Sequence, residues 1–255
     1  MNPVIRDWRG KRVWIIGASS GIGEETARLL LTLGARVALS ARKLAQLQKI
    51  AADYPMAEAV AVDICDHASI VACHAGLMQK WGSIDLVLIV AGSYNEMRAD
   101  SVDMAAVNQL IDINLRGVYQ CLDVILPDIL QQSSGGIGIV GSVAGLSGLP
   151  KALVYGPTKA AIINLCESLY LDVRPKNIAV YMINPGFVET PMTAGNDFKM
   201  PAMISAPEAA VAIVKGMQRG DFHIHFPHRF TNWLRLARLL PYRSYFYLVH
   251  KVTGL

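Results

Sequence analysis

The chain has 255 residues, 53 % of them hydrophobic and 17 % charged, which is enough for one large α/β domain with a substantial core. Repeats and low-complexity tracts are absent, and no Pro/Gly/Ser-rich linker divides the chain. The formal charge of +4 is uneven: residues 1–221 hold 19 basic and 20 acidic groups, so the body lacks the basic face expected of a nucleic-acid-binding protein.

The first predicted strand, residues 12–16, runs into a glycine-rich turn, and apolar residues then recur at helical spacing over residues 21–33. A strand, a glycine turn and a helix in this order is the arrangement that holds the pyrophosphate of a dinucleotide at a helix N-terminus. Glycines alone often only permit a tight turn, so the flanking elements carry the prediction. The residues expected to line this site are Gly17, Ser19, Ser20, Gly21, Ile22 and Gly23.

Further strands and helices alternate along the chain, as in a doubly wound parallel sheet. The other predicted strands lie near 36–40, 58–62, 85–90, 136–141, 178–183 and 222–226, and the other helices near 43–52, 67–81, 103–131, 155–174 and 207–218. We therefore predict a single-domain α/β Rossmann fold with a parallel sheet of about seven strands. The catalytic and dinucleotide-binding domain is expected over residues 1–226, with a C-terminal amphipathic extension over residues 227–255.

The end of the second strand bears on which dinucleotide is bound. Sites that prefer NAD usually carry Asp or Glu about 20 residues past the glycines. No carboxylate occurs from Arg36 through Gln46; Ser40 occupies the expected acidic position and Arg42 follows it. Because guanidinium binds phosphate well, this favours NADP(H), with NAD(H) still possible. Alternatively, Arg42 only begins the next helix on its solvated face.

Tyr155 and Lys159 lie four residues apart at the start of the predicted helix over 155–174. A free tyrosine has a pKa of about 10, too high for efficient proton exchange at neutral pH, and a lysine on the same helical face favours the phenolate. Ser142, at the end of a predicted strand, would hold a carbonyl oxygen beside the phenol. A Tyr-x-x-x-Lys pair alone is usually a solvated helix face, but with the glycine turn it predicts a hydride-transfer enzyme.

With these motifs in order, the chain resembles the short-chain dehydrogenase/reductase family over roughly residues 10–220. Five signals fall in family order: the glycine turn, Asp63, Asn114, Ser142 with Tyr155 and Lys159, and Pro185-Gly186. The resemblance implies that Tyr155 exchanges a proton with the substrate oxygen and that Ser142 polarises this oxygen. It also implies that Lys159 lowers the Tyr155 pKa and binds the nicotinamide ribose, and that Asn114 anchors a proton-relay water.

The resemblance also assigns further cofactor contacts and requires no metal, since the hydride comes from the dinucleotide. Asp63 would accept a hydrogen bond from the adenine amino group, although a strand-end turn residue is nearly as good an interpretation. Thr190 would orient the nicotinamide carboxamide. The remaining expected contacts are Ala91, Gly92, Pro185, Gly186 and Val188, in addition to Tyr155 and Lys159.

Two positions depart from the family pattern. Ile16 stands where the family usually has threonine, and Ile89-Val90 stands where it usually has Asn-Asn. Since those polar residues tie the first turn to the fourth strand, we expect apolar packing to replace this tie without loss of activity.

The expected substrate is a lipophilic ketone, aldehyde or alcohol. The loops that follow the catalytic strands are rich in apolar side chains: Met97, Leu146, Leu149, Phe187, Met192, Phe198 and Met200. Two alternatives stay open: reduction of a 3-oxoacyl thioester, and a non-catalytic dinucleotide-sensing or scaffold protein. Family members commonly pair through the helices over 103–131 and 155–174, which implies a homodimer or homotetramer.

The extension over 227–255 is aromatic and basic, with no acidic residue after Asp221. It is expected to pack on its own domain or on a subunit mate, or to contact a membrane surface peripherally. No carboxylate or cysteine lies between His223, His225 and His228 or follows them, so a structural role is expected for them. Without a Cys-x-x-Cys pair, an apolar leader or a membrane-length stretch, we expect reduced thiols and a cytoplasmic location, or a peripheral one at the membrane.

Overall fold

A computed structural model describes residues 1–196 and 200–254. Seven of its strands are β1 (Arg12–Ile16), β2 (Arg36–Ala41), β3 (Ala57–Ala61), β4 (Leu86–Ile89), β5 (Gly136–Val140), β6 (Ala179–Pro185) and β9 (His223–Phe226). They form one parallel sheet in the order β3-β2-β1-β4-β5-β6-β9. A short pair, β7 (Val188–Glu189) and β8 (Ile204–Ser205), lies apart from this sheet.

Helices cover both faces of the sheet: α1 (Gly21–Thr32), α2 (Leu44–Ala51), α3 (His67–Trp81), α4 (Met104–Ile111), α5 (Gly117–Gln132), α6 (Tyr155–Val173) and α7 (Ala206–Arg219). One core packs α3, α5 and α6 against the sheet, and the other packs α1, α2 and α7. Central strands are buried on both faces, which explains why they are continuous apolar runs rather than alternating ones. The predicted doubly wound α/β fold is confirmed.

The order of the strands decides where a ligand can bind. Strand β1 pairs with β2 on one side and with β4 on the other, so the chain winds in opposite directions from this point. The carboxyl ends of β1 and β4 therefore open a crevice between their following loops, the usual ligand site of such sheets.

The prediction of one continuous helix over 103–131 is wrong, because a π-helical turn at Asp112–Arg116 separates α4 from α5. At this turn Asn114 is buried, and Gly117 lies so close to Ile64 that a Cβ would be 2.8 Å from the Ile64 Cγ1. Periodicity does not reveal one extra residue in a helical turn, and such turns are common at functional sites.

The extension consists of α8 (His228–Ala237) and α9 (Tyr242–Thr253), each of which begins directly after a proline. Across the described residues, no helix combines the length and apolarity needed to cross a membrane. Cys65 is exposed, Cys73, Cys121 and Cys166 are buried, and all four thiols are free.

Candidate active site

A cleft of about 700 Å³ lies beyond the carboxyl ends of the strands. It is lined by nearly all the residues that the sequence analysis singled out: Gly17, Ser19, Ser20, Gly21, Ile22, Gly23, Arg42, Asp63, Ala91, Gly92, Ser142, Tyr155, Lys159, Pro185, Gly186, Val188 and Thr190. These residues follow six different strands, and the parallel sheet brings them together because its carboxyl ends share one edge.

The glycine turn is packed tightly against the loop that follows β4. Gly17 has a φ of +99°, and a Cβ at this position would lie 2.7 Å from the Ala91 Cα. The Ile16 carbonyl accepts hydrogen bonds from Val90 N at 2.8 Å and from Ala91 N at 2.9 Å. The backbone thus supplies a tie between the two loops where the family pattern would use polar side chains, and Ile16 and Ile89 are both buried in the same core.

The N-terminus of α1 fits the pyrophosphate of a dinucleotide. Ser20 precedes the helix in an extended conformation and makes no side-chain capping bond, so its hydroxyl does not occupy the first amides of the helix. Those amides and the helix dipole favour an anion at this position. A side chain at Gly21 would meet the Thr190 Cγ2 at 2.8 Å, so this part of the cleft requires glycine.

The assignment of Ser40 as a cofactor contact is wrong. Its side chain is fully buried and does not line the cleft, and its hydroxyl accepts a 2.9 Å hydrogen bond from the Trp14 Nε1. A buried indole N–H requires an acceptor, which Ser40 supplies. Ala41, Arg42 and Lys43 line the cleft instead, so this end of β2 still lacks a carboxylate.

Ser142, Tyr155 and Lys159 lie side by side at the base of the cleft. Ser142 caps the turn after β5, accepting a hydrogen bond from Ala144 N at 3.1 Å, and also bonds the Tyr155 hydroxyl. Lys159, only 4 % exposed, has its Nζ 5.7 Å from the centroid of the Tyr155 ring. A carbonyl oxygen between Ser142 and Tyr155 would therefore meet two hydroxyl groups.

The electrostatics of this group differ from the expectation that Lys159 lowers the Tyr155 pKa. Burial dominates and raises the pKa of Tyr155, and Tyr94 adds to this, while the hydrogen bond from Ser142 acts in the opposite direction. Burial also lowers the pKa of Lys159 to about 8, and its ammonium donates to the Val140 carbonyl at 2.9 Å. Lys159 is thus hydrogen-bonded to the backbone of β5, and burial is the largest influence on the pKa of the phenol.

Asn114 lies behind the wall of the cleft rather than on it. Its Oδ1 accepts a hydrogen bond from Ser93 N at 2.8 Å, and its Nδ2 donates to the Ser93 carbonyl at 2.9 Å. A Cβ at Gly92 would lie 3.5 Å from both Asn114 Oδ1 and Lys159 Nζ, so these two side chains flank one glycine. The structure therefore shows Asn114 holding the loop after β4, and its relation to a relay water stays a prediction.

Beside Tyr155 lies one aromatic residue that the sequence analysis did not single out, and the predicted Phe187 contacts the C-terminal extension. Tyr94 contacts Tyr155 edge to face at 5.1 Å, and Phe187 contacts Phe230 of α8 at 5.7 Å. Met97 and Leu146 are buried nearby, whereas the predicted Phe198 lies outside the described residues. Tyr94 follows β4 just as Ser142 follows β5. This position after a strand of the sheet is the sequence feature from which its place beside the site could have been predicted.

Two of the three histidines near β9, His223 and His225, are hydrogen-bonded to protein groups. Because Arg235 can only donate, the His225 Nε2 accepts from it at 2.9 Å, and the His225 Nδ1 then donates to the Thr231 hydroxyl at 2.6 Å. His223 bonds Asn184 at 3.0 Å. In the described part of the chain, no group of three His, Cys, Asp or Glu residues is placed to hold a metal ion.

We expect this cluster to make the protein sensitive to acid. Burial, with the Arg235 charge, lowers the pKa of His223 and His225 from 6.5 to about 4, although Asp221 opposes the shift at His225. The unfolded chain therefore binds more protons between these values, and stability falls as the pH falls from 6.5 to about 4. In His225→Asn the loss of unfolding free energy between pH 6.5 and about 4 should be smaller than in the parent by on the order of 2 kcal/mol. Melting temperatures measured across this pH range should therefore fall less steeply for the variant. The same change at exposed His250 is the control, and an unchanged pH profile in His225→Asn would contradict the assignment.

Comparisons with known proteins identify the family of this chain. A family model for short chain dehydrogenase matches residues 11–200. An uncharacterized oxidoreductase of Myxococcus xanthus is 32 % identical over 231 residues, which cover 89 % of this chain and 91 % of that protein. One of Staphylococcus epidermidis is 34 % identical over 201 residues, covering 78 % and 87 % respectively.

Among solved structures, a short-chain dehydrogenase from Streptomyces avermitilis superposes with a TM-score of 0.81 over 96 % of this chain and 98 % of that one. Its identity of 22 % shows the shared fold alone. The family model covers most of this chain, and the Myxococcus relative exceeds 30 % identity over nearly the whole of it. The protein is therefore an oxidoreductase that belongs to the short-chain dehydrogenase/reductase family, whose members bind a nicotinamide dinucleotide.

Proposed function

We propose that the protein is an NADP(H)-dependent oxidoreductase that interconverts a lipophilic carbonyl compound and its alcohol. The observation that carries this proposal is the convergence of Ser142, Tyr155 and Lys159 at the base of a cleft whose far wall is the glycine turn. A bound nicotinamide would supply or accept the hydride at this point. The chain itself would bind the substrate oxygen and move the proton.

Proton transfer is assigned to the Tyr155 hydroxyl. During reduction Tyr155 gives its proton to the substrate oxygen, and Ser142 donates a second hydrogen bond to the same oxygen. Since Lys159 is buried with a pKa of about 8, its ammonium carries charge near neutral pH and is proposed to stabilise the phenolate. Asn114 supports this group by fixing the loop at Ser93.

The preference for NADP(H) is assigned to Arg42. Arg42 and Lys43 are exposed at the rim of the cleft where β2 ends, and Ala41 there offers no carboxylate to repel a 2′-phosphate. Asp63, whose Oδ1 already accepts from Cys65 N at 2.9 Å, lies at the adenine end. NAD(H) can enter the same cleft but would lack the guanidinium contact.

Replacing Arg42 with alanine is expected to weaken NADPH binding by about 10- to 100-fold, the loss of one charge-assisted contact, and to leave NADH binding unchanged. Quenching of tryptophan fluorescence during titration with each dinucleotide measures both affinities. Lys49→Ala on α2 removes an exposed charge away from the cleft and is the matched control. If the parent bound NADH as tightly as NADPH, the assignment to Arg42 would be wrong.

The substrate class is proposed from the apolar residues of the loops after β4, β5 and β6. Met192 lines the cleft, Met97 and Leu146 are buried in these loops, and Phe187 packs on Phe230. Lys151 is paired with Glu96 at 2.9 Å, which leaves its charge neutralised rather than directed at a substrate carboxylate. Oxidation of NADPH with long-chain aldehydes, compared with short 3-oxoacyl thioesters, tests this choice. Faster turnover of the thioesters would favour the alternative, and turnover of neither class would favour a dinucleotide-sensing or scaffold role.

Assembly as a homodimer or homotetramer, and a cytoplasmic or membrane-peripheral location, complete the proposal. Exposed apolar side chains on α5 and α6, such as Tyr119 and Leu171, support pairing through these helices.

A further inference from the structure

The helices α8 and α9 present a cluster of exposed apolar side chains that the reaction does not use. Trp233 is 74 % exposed, Leu239 79 % and Phe246 59 %. Together with their neighbours they form what we call the α8–α9 surface: Trp233, Leu236, Leu239, Leu240, Tyr242, Phe246, Tyr247, Leu248 and Val252. Most protein surfaces expose large apolar side chains singly, whereas here nine lie within 20 positions of the chain. Such a concentration of exposed apolar side chains marks an interaction site.

The two helices that form this surface carry positive charge and no acidic residue of their own. Exposed Arg229, Arg238, Arg243 and Lys251 are interleaved with the apolar residues, and no acidic residue follows Asp221 in the chain. Arg235 is the exception, since it is bonded to His225. An apolar face rimmed by arginine and lysine is complementary to an anionic surface.

The packing of α9 indicates that something covers it. Tyr245 is its one buried residue, although the helix spans 12 residues. A helix of about this length is marginal in water unless tertiary packing supports it. Trp233, Tyr242 and Tyr247 are the amphipathic side chains that favour the boundary between lipid headgroups and acyl chains.

The surface also lies beside the substrate side of the cleft. The Tyr245 hydroxyl donates to the Gly148 carbonyl at 2.7 Å, in the loop that follows Ser142. Phe230 of α8 contacts Phe187 in the loop that follows β6. Both helices are thereby attached to the loops that form the substrate wall.

A second copy of the chain is a poor occupant of this surface. In a two-fold symmetric contact each patch meets itself, so arginines would face arginines with no acidic partner on either helix. We propose that the α8–α9 surface docks on an anionic lipid bilayer, with both helices lying in the plane of the interface. Helices of 10 and 12 residues are too short to span a bilayer, which needs about 20. Docking of this surface on a bilayer does not depend on the proposed reaction. Delivery of a lipophilic substrate from the bilayer to the cleft does rest on the proposed function.

Sedimentation of the whole protein with vesicles tests this proposal without any measurement of activity. We expect binding to vesicles of equal phosphatidylcholine and phosphatidylglycerol, little binding to phosphatidylcholine alone, and weaker binding at high salt. Arg238→Gln combined with Arg243→Gln should lower partitioning about 25-fold, since each charge near the surface is worth roughly fivefold.

Trp233→Ser combined with Phe246→Ser should also lower binding, whereas Val71→Ser, at a 43 % exposed position on α3, should not. Melting temperatures show that each variant is folded. Absence of parent binding to the mixed vesicles, or binding that neither double variant changes, would overturn the proposal. A dimer lost in the Trp233/Phe246 variant, without vesicle binding, would assign the surface to a second copy and overturn it equally.

Discussion

Tyr155→Phe is expected to lower kcat by two to four orders of magnitude while dinucleotide affinity stays at the parent value. The phenylalanine ring keeps the edge-to-face contact with Tyr94 but cannot give a proton to the substrate oxygen. The loss corresponds to about 3–5 kcal/mol in activation free energy. Steady-state turnover of NADPH with a lipophilic aldehyde measures the first quantity, and fluorescence titration measures the second.

The control for this substitution is Tyr54→Phe after α2, where the same hydroxyl is removed from a half-buried side chain outside the cleft. It should leave kcat unchanged. Because burial raises the Tyr155 pKa, the parent should keep its donor protonated through neutral pH. Parent-like turnover by Tyr155→Phe would remove the tyrosine from the mechanism and return the choice to a dinucleotide-sensing protein.

Gly17→Ala should damage both the fold and the dinucleotide site. The φ of +99° is unfavourable for alanine, and the new Cβ would press on the backbone of Ala91, which cannot move without breaking its bond to the Ile16 carbonyl. We expect a loss of on the order of 3 kcal/mol in unfolding free energy. Dinucleotide affinity of the folded fraction should fall roughly tenfold or more, because a loss of about 1.4 kcal/mol in binding free energy already lowers affinity tenfold.

Urea unfolding and fluorescence titration measure these two effects separately. Gly76→Ala in the middle of α3 is the matched control, because a Cβ there meets nothing within 4 Å. It should raise stability by up to about 1 kcal/mol and leave binding unchanged. Equal behaviour of the two glycine variants would show that the close approach of Gly17 to Ala91 does not shape the site.

Residues that could be assigned from local motifs differ from those that needed the tertiary structure in how far along the chain their determining contacts reach. The glycine turn is recognisable because a tight turn between a strand and a helix restricts the residue types within a few positions. The position of Ser40, in contrast, depends on which face of β2 meets Trp14, a residue 26 positions away on another strand. Counting from the glycines does not distinguish the two faces of a buried strand.

The sequence alone determined the alternation of strands and helices, the glycine turn and the spacing of Tyr155 and Lys159, because these depend on interactions within short segments. Only the tertiary structure decided that Ser40 faces the core, that Asn114 lies on a π-helical turn, and that Lys159 donates to Val140. It also decided that Tyr245 attaches α9 to Gly148 while most of the helix stays exposed. Such contacts join residues distant along the chain, and their geometry follows from how whole layers pack rather than from any local preference.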